Sequence, residues 1–243
     1  MSRAKFKTSS QRTRNAVKSL YEDESPELHL VVSKPMKSPI VPKSKNQEYY
    51  IEAIQNQKII FGVGPAGTGK SYIATCMAAD ALRSGEIEKV IITRPAVEAG
   101  ESLGFLPGEL EEKYEPYIAP IRDILEKRLG KSTLEYMIKH GLIEAAPMAY
   151  LRGKTFDNCI VLLDEAQNCT PNQMKLFLTR IGENCTMIID GDPSQKDINT
   201  VSGLEDAIRK IAWIPQVSVI EFTVSDIVRS GICQEIVESY EKK

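Results

Sequence analysis

Histidine is almost absent from this 243-residue chain, which holds only His29 and His140. So few imidazoles leave little to build a His/Cys zinc site from. Paired cysteine motifs are absent as well. Cys76, Cys159, Cys169, Cys185 and Cys233 are odd in number and form no C-x-x-C pair, so they read as buried, reduced thiols of a cytoplasmic protein. No apolar run reaches the roughly 18 residues of a membrane span. Met1 to Ser10 carries charge without the apolar stretch of a secretory signal. What remains is an ordinary soluble composition, 42% hydrophobic and 26% charged, long enough for one substantial α/β domain plus an appendage, or at most two small domains.

The net charge of −2 conceals an asymmetry. Residues 1–46 hold ten basic and four acidic residues, a net of +6, which leaves 21 basic and 29 acidic residues, a net of −8, for the rest. Pro26, Pro35, Pro39 and Pro42 punctuate this basic arm, which is expected to be poorly ordered apart from a short amphipathic helix near Arg12 to Tyr21. A basic arm on an acidic body can contact nucleic acid, although a solvated tail is the commoner outcome.

From residue 47 onward, strand-like and helix-like segments alternate. Lys58 to Val63, Lys89 to Thr93, Asn158 to Leu163, Cys185 to Asp190 and Val217 to Phe222 are apolar runs ending at glycine or polar residues, and read as buried strands. Helices are expected over Gln47 to Gln57, Ser71 to Arg83 and Pro116 to His140 with a break at Gly130, and from starts near Pro171, Gly203 and Ser230. Residues 94–115 read as a long irregular segment of the kind that serves as a functional loop. The alternation predicts an α/β fold, a parallel sheet with helices on both faces, whose ligands bind beyond the carboxyl ends of the strands.

Five features carry chemistry. Gly64-Pro65-Ala66-Gly67-Thr68-Gly69-Lys70-Ser71 fits the phosphate-binding pattern G-x-x-x-x-G-K-[ST] and stands between a strand and a helix. Its glycines let backbone N–H groups face phosphate oxygens, Lys70 reaches the β- and γ-phosphates of ATP, and Ser71 holds Mg²⁺. About 95 residues later, Ile160-Val161-Leu162-Leu163 ends in Asp164-Glu165. Asp164 is placed to bind Mg²⁺ through water, and Glu165 to deprotonate or orient the attacking water. Ile188-Ile189-Asp190-Gly191-Asp192-Pro193-Ser194-Gln195 is a third strand ending in a polar turn, where the Gln195 amide can sense a γ-phosphate or the water attacking it. Gln47 can pair with the N6/N7 edge of adenine, a free surface glutamine being the alternative. Arg229 follows the last strand and can face the phosphates, its own subunit's or a neighbour's, with a structural salt bridge as the competing role.

With those residues in place, the chain resembles the PhoH family of bacteria and their phages. The resemblance runs from about Gln47 to the C-terminus, leaving the arm outside it. It rests on Gly64 to Ser71, Thr93-Arg94-Pro95-Ala96-Val97-Glu98-Ala99-Gly100-Glu101 followed by Gly104-Phe105-Leu106-Pro107-Gly108, Arg152-Gly153-Lys154-Thr155, Asp164-Glu165-Ala166-Gln167-Asn168 and Gly191-Asp192-Pro193-Ser194-Gln195. The family implies a RecA-like P-loop core akin to superfamily-one helicases, ATP hydrolysis, ring-like hexamers, a link to RNA or phosphate stress, and a host-cytoplasmic location for a phage-borne copy. Ser71 stands where the family more usually has threonine. A PIN nuclease domain, found ahead of the core in some members, is not expected of 46 Pro-broken residues. A second core is not expected within the 80 or so residues after Asp164-Glu165, so unwinding would need subunits to complete each other.

These readings converge on an oligomeric Mg²⁺-dependent ATPase acting on, or regulated by, RNA or single-stranded DNA. Arg94, Glu98 and Glu101 are expected to contact nucleic acid or a neighbouring subunit. The rivals are a small-molecule kinase sharing the phosphate loop and a non-catalytic scaffold that binds ATP in order to assemble.

Overall fold

A computed structural model describes residues 38–95, 110–228 and 239 of the chain. Among the described residues lie six strands: β1 (Ile59–Val63), β2 (Lys89–Thr93), β3 (Ile143–Ala145), β4 (Cys159–Leu163), β5 (Cys185–Gly191) and β6 (Val217–Glu221). Six α-helices accompany them: α1 (Lys45–Asn56), α2 (Lys70–Ser84), α3 (Leu110–Leu129), α4 (Lys131–Lys139), α5 (Pro171–Leu178) and α6 (Gly203–Ile211). All pairings in the sheet are parallel, in the order β3-β2-β4-β5-β1-β6. The strand after the Asp-Glu strand therefore lies between it and the phosphate-loop strand. That is the RecA-like arrangement, and it brings three strand ends to one place.

Side-chain alternation divides the interior into two layers. Ile60, Val90, Ile92, Ile160, Leu162 and Ile188 face the layer that packs against α1 to α4, through Tyr50, Ile73, Leu82, Ile121, Leu125 and Leu134. Phe61, Ile91, Val161, Leu163, Met187 and Ile189 face the opposite layer, filled by Met174 and Phe177 of α5 and Leu204 and Ala207 of α6. A central strand buried on both faces must be apolar throughout, which is why β4 reads Cys-Ile-Val-Leu-Leu with every residue buried.

Helix starts follow capping chemistry. Thr170 accepts from the Gln173 N–H while the Gln173 side chain returns to the Thr170 backbone, and Pro171 takes the first turn. Gly85 closes α2 in the left-handed conformation. Two expectations need correction. Helix α3 begins at Leu110, so residues 110–115 are helical rather than irregular. The short edge strand β3 is an addition, because three residues pairing only with β2 leave no alternation to read. The helix expected near Arg12, the one near Ser230 and most of the segment after Arg94 lie outside the described residues.

Candidate nucleotide site

The phosphate loop leaves β1 at Gly64 and enters α2 at Lys70. Gly64, Gly67 and Gly69 all have positive φ, at 138°, 85° and 88°, a region that side-chain-bearing residues rarely adopt. At Gly64 there is also no room, since a Cβ would come within 2.2 Å of the Phe222 carbonyl oxygen. The loop is tied down from three directions. The Gly64 N–H donates to the Gly191 carbonyl (3.1 Å), the Val228 N–H donates to the Gly67 carbonyl (3.1 Å), and the Gln47 amide donates to the Thr68 carbonyl (2.8 Å).

Gln47 is one of these ties. Its Nε2 is on Thr68, its Oε1 accepts from the Lys43 N–H (2.7 Å), and it is buried. The first turn of α1 packs directly on the loop, so this amide holds backbone and is not a free surface glutamine.

Lys70 is buried, and its ammonium is folded back onto the loop. Nζ donates to the carbonyls of Gly64 (2.7 Å) and Pro65 (2.8 Å) and to Thr68 Oγ1 (3.2 Å). Burial lowers its pKa, against the opposing pull of the carboxylates of Asp190, Asp192, Asp164 and Glu165. The amine keeps three hydrogen bonds that β- and γ-phosphate oxygens can replace.

Asp164 and Glu165 leave β4 at its carboxyl end. Ser71 Oγ donates to Asp164 Oδ1 across 3.1 Å, which joins the two groups expected at the metal. A hydroxyl and a carboxylate, all-oxygen and only two in number, fit Mg²⁺, which keeps most of its shell as water and phosphate oxygens. Among the described residues no group of three or more His, Cys, Asp or Glu could hold an ion by itself. Glu165 has φ 57°, a left-handed turn that costs a non-glycine residue about 1 kcal/mol or more. The turn leaves the Glu165 side chain 44% exposed in the cleft beside Asp164.

The third motif meets the second through Gln167, which the sequence reading left without a role. Gln167 is buried. It donates to Glu165 Oε2 (2.7 Å) and to the Gln195 carbonyl (3.4 Å), and accepts from the Asp192 N–H (3.0 Å). Asp192 in turn receives the Ser194 N–H and hydroxyl and the Gln195 amide (2.9 Å). A buried amide with every connection made is a rigid spacer. Its visible signals were its place three residues after Asp164 and within the Asp164 to Asn168 run of the family resemblance.

Asp190 was also missed. It is buried at the middle of the sheet and accepts from the Tyr50 hydroxyl at 2.5 Å. Burial, reinforced by the negative charge of Asp164, pushes its pKa up to about 7. Gly62, opposite it in register, is glycine of necessity: a Cβ there would lie 2.4 Å from Asp190 Oδ1 and 3.0 Å from the Tyr50 ring.

Arg94, expected to contact nucleic acid or a neighbouring subunit, has its guanidinium on Asp164 of its own chain, with Nη2 and Nε at 2.5 and 3.1 Å from Oδ2. Register explains this. Thr93 pairs with Leu163 and the Asp164 N–H donates to the Thr93 carbonyl (3.1 Å), so Arg94 is laid beside Asp164. Ala66, Lys70, Ser71, Arg94, Asp164, Glu165 and Gln195 line one open cleft of about 250 Å³. Glu98, Glu101 and Arg229 lie outside the described residues.

A P-loop lysine, a serine–carboxylate pair and an adjacent exposed glutamate share one cleft. The family model described as PhoH-like protein matches residues 39–241. The chain belongs to the PhoH-like family. It is 49% identical over 203 residues to a PhoH-like protein of Bacillus subtilis, covering 83% of this chain and 64% of that one. It is 44% identical over 207 residues to Protein PhoH of Escherichia coli K12, covering 84% and 58%. The chain thus spans about three fifths of the length of these relatives. Among solved structures, the UvsW helicase of bacteriophage T4 aligns with TM-score 0.47 and 11% identity over 86% of this chain and 77% of that one. The Pif1 helicase of Candida albicans aligns with TM-score 0.39 and 15% identity over 76% and 40%. This PhoH-like chain carries a P-loop on a parallel α/β core. Among its described residues no helix is long and apolar enough to cross a membrane.

Proposed function

We propose that this PhoH-like chain is a Mg²⁺-dependent ATPase that works as an oligomer, a hexameric ring by family resemblance, and acts on or is regulated by RNA or single-stranded DNA. The observation that carries the ATPase reading is the convergence of Ser71, Asp164 and Glu165 at the mouth of the Lys70 loop, with Ser71 and Asp164 3.1 Å apart. ATP phosphates enter the loop beneath its N–H groups and the N-terminus of α2. Lys70 exchanges the carbonyls of Gly64 and Pro65 for phosphate oxygens. Ser71 and Asp164 would hold Mg²⁺, which would supply positive charge to neutralise the phosphates. Glu165, held by Gln167, accepts the proton of the attacking water, while Gln195 stands on the same hydrogen-bonded turn as Asp192 to orient that water or sense the γ-phosphate. The nucleic-acid element rests on the +6 arm of residues 1–46 and on the family resemblance.

Phosphate release from ATP with no added acceptor tests this, measured with and without RNA and single-stranded DNA and beside the solution mass. Release that requires Mg²⁺ and rises with nucleic acid is the expected result. Phosphate transfer only to a small molecule would make the protein a kinase, and binding without turnover would make it a scaffold.

A further inference from the structure

The carboxylate assigned to the metal is already in use. Asp164 Oδ1 accepts the Ser71 hydroxyl, and Oδ2 accepts two N–H groups of Arg94, at 2.5 and 3.1 Å. The same guanidinium lies 3.7 Å from Glu165 Oε1. The pair is largely sheltered, with the Arg94 side chain 18% and the Asp164 side chain 10% exposed. Four carboxylates crowd this end of the sheet, Asp164, Glu165, Asp190 and Asp192. The second cation near them, Lys70, is turned onto loop carbonyls and sits at hydrogen-bond distance from none of them. Arg94 therefore supplies the positive charge at Asp164 where Mg²⁺ is expected.

We infer that Arg94 is an internal competitor of the metal: it holds Asp164 and Glu165 while the nucleotide is away and must release Asp164 for Mg²⁺ to be accepted with ATP. The argument is one of shared acceptors. A carboxylate oxygen that already receives two charge-assisted N–H bonds is a poor partner for a hydrated dication, and a fixed guanidinium beside it repels that dication. Arriving phosphates change the balance, since they offer Arg94 a second anion and offer Mg²⁺ further oxygens. The arginine thus makes metal binding conditional on nucleotide. Without it, Asp164 and Glu165 form an unneutralised pair open to any divalent ion. Register places Arg94 here, because β2 ends one residue before it and β4 ends one residue before Asp164.

This inference rests on the ATPase reading, and the experiment separates the two. Mn²⁺ binding is followed by electron paramagnetic resonance on the full chain, first without nucleotide and then with ADP, for the parent, Arg94→Gln and Arg94→Lys. The parent is expected to bind Mn²⁺ weakly alone and tightly with ADP. Arg94→Gln is expected to bind free Mn²⁺ at least about tenfold more tightly, the scale of one lost charge-assisted interaction, with a smaller gain on adding ADP. Arg94→Lys, which keeps the charge and loses the two-pronged contact, should fall between them. Unchanged free-Mn²⁺ affinity in both folded variants, with nucleotide-dependent binding intact in the parent, overturns the inference and leaves Arg94 a structural ion pair. No ADP-dependent Mn²⁺ binding in the parent overturns the ATPase reading itself. Should Arg94→Gln fail to fold by circular dichroism, Arg94→Lys decides by the same comparison.

Discussion

The two walls of the cleft are built on different principles. On the phosphate-loop wall, Lys70, Thr68 and the three glycines are satisfied mostly by main-chain groups: the lysine by the Gly64 and Pro65 carbonyls, the loop by the Gly191 carbonyl and the Val228 N–H, with the Gln47 side chain added at Thr68. On the carboxylate wall, Asp164, Glu165, Asp192 and Gln195 are satisfied mostly by other side chains, through Arg94, Ser71 and Gln167. A main-chain cradle needs only a short run of glycines to specify it. A side-chain network needs partners from four strands in register. The loop wall should therefore fail locally and completely when one residue changes, whereas the carboxylate wall should lose function in graded steps.

The largest effect is expected at the loop. Lys70→Ala should abolish tight ATP binding and hydrolysis while far-UV circular dichroism stays as in the parent, because the ammonium bonds loop carbonyls and not the core. ATPase rates equal to the parent's would refute the role of the loop wall.

Arg229 comes next. It directly follows Val228, whose backbone is bonded to Gly67. An arginine completing such a site contributes about 10³–10⁵ in rate, so Arg229→Ala should lose activity on that scale. Mixing inactive Lys70→Ala with inactive Arg229→Ala decides which site it serves. Recovered activity assigns it to the neighbouring subunit, and none from oligomers shown to be mixed assigns it to its own.

On the carboxylate wall, Glu165→Gln should bind ATP normally and turn over about 10²–10⁴ times more slowly. Weakened binding with unchanged turnover would contradict the division between the walls. Gln167→Ala removes the spacer that holds Glu165 while leaving the Glu165 carboxylate in place, and should slow turnover about tenfold, the value of one buried polar contact. A loss as large as that of Glu165→Gln would mean that the network fails as a unit.

The last effect is on stability and not on rate, and concerns Asp190, which lies between the walls. Its pKa is about 7 in the fold, raised by burial and by Asp164, so the folded state holds a proton that the unfolded chain releases near the ordinary carboxylate pKa. Between those values the native state binds more protons than the unfolded one, and stability falls as pH rises toward 7. Asp190→Asn, which still accepts from Tyr50, should remove that fall. In urea unfolding the variant should gain on the parent between pH 4 and pH 7, each unit of abolished shift being worth about 1.4 kcal/mol. A constant difference across that range would show that Asp190 is ionised throughout.

The chain itself determined the loop wall almost completely. G-x-x-x-x-G-K-[ST] is a local pattern, and its glycines require the positive φ found at Gly64, Gly67 and Gly69. Alternating apolar runs likewise determined the five longer strands and the parallel sheet, since a strand buried on both faces must be apolar throughout. The strand order, and everything that depends on it, belongs to the tertiary structure alone. β5 lies between β1 and β4, so Asp190 sits opposite Gly62 and beneath Tyr50. β2 pairs with β4 in a register that lays Arg94 beside Asp164, and Gln47 is turned inward onto Thr68. Residues tens of positions apart in the chain become partners only through hydrogen bonding between strands. Periodicity along the chain says which face a side chain takes, but not which strand stands next to it.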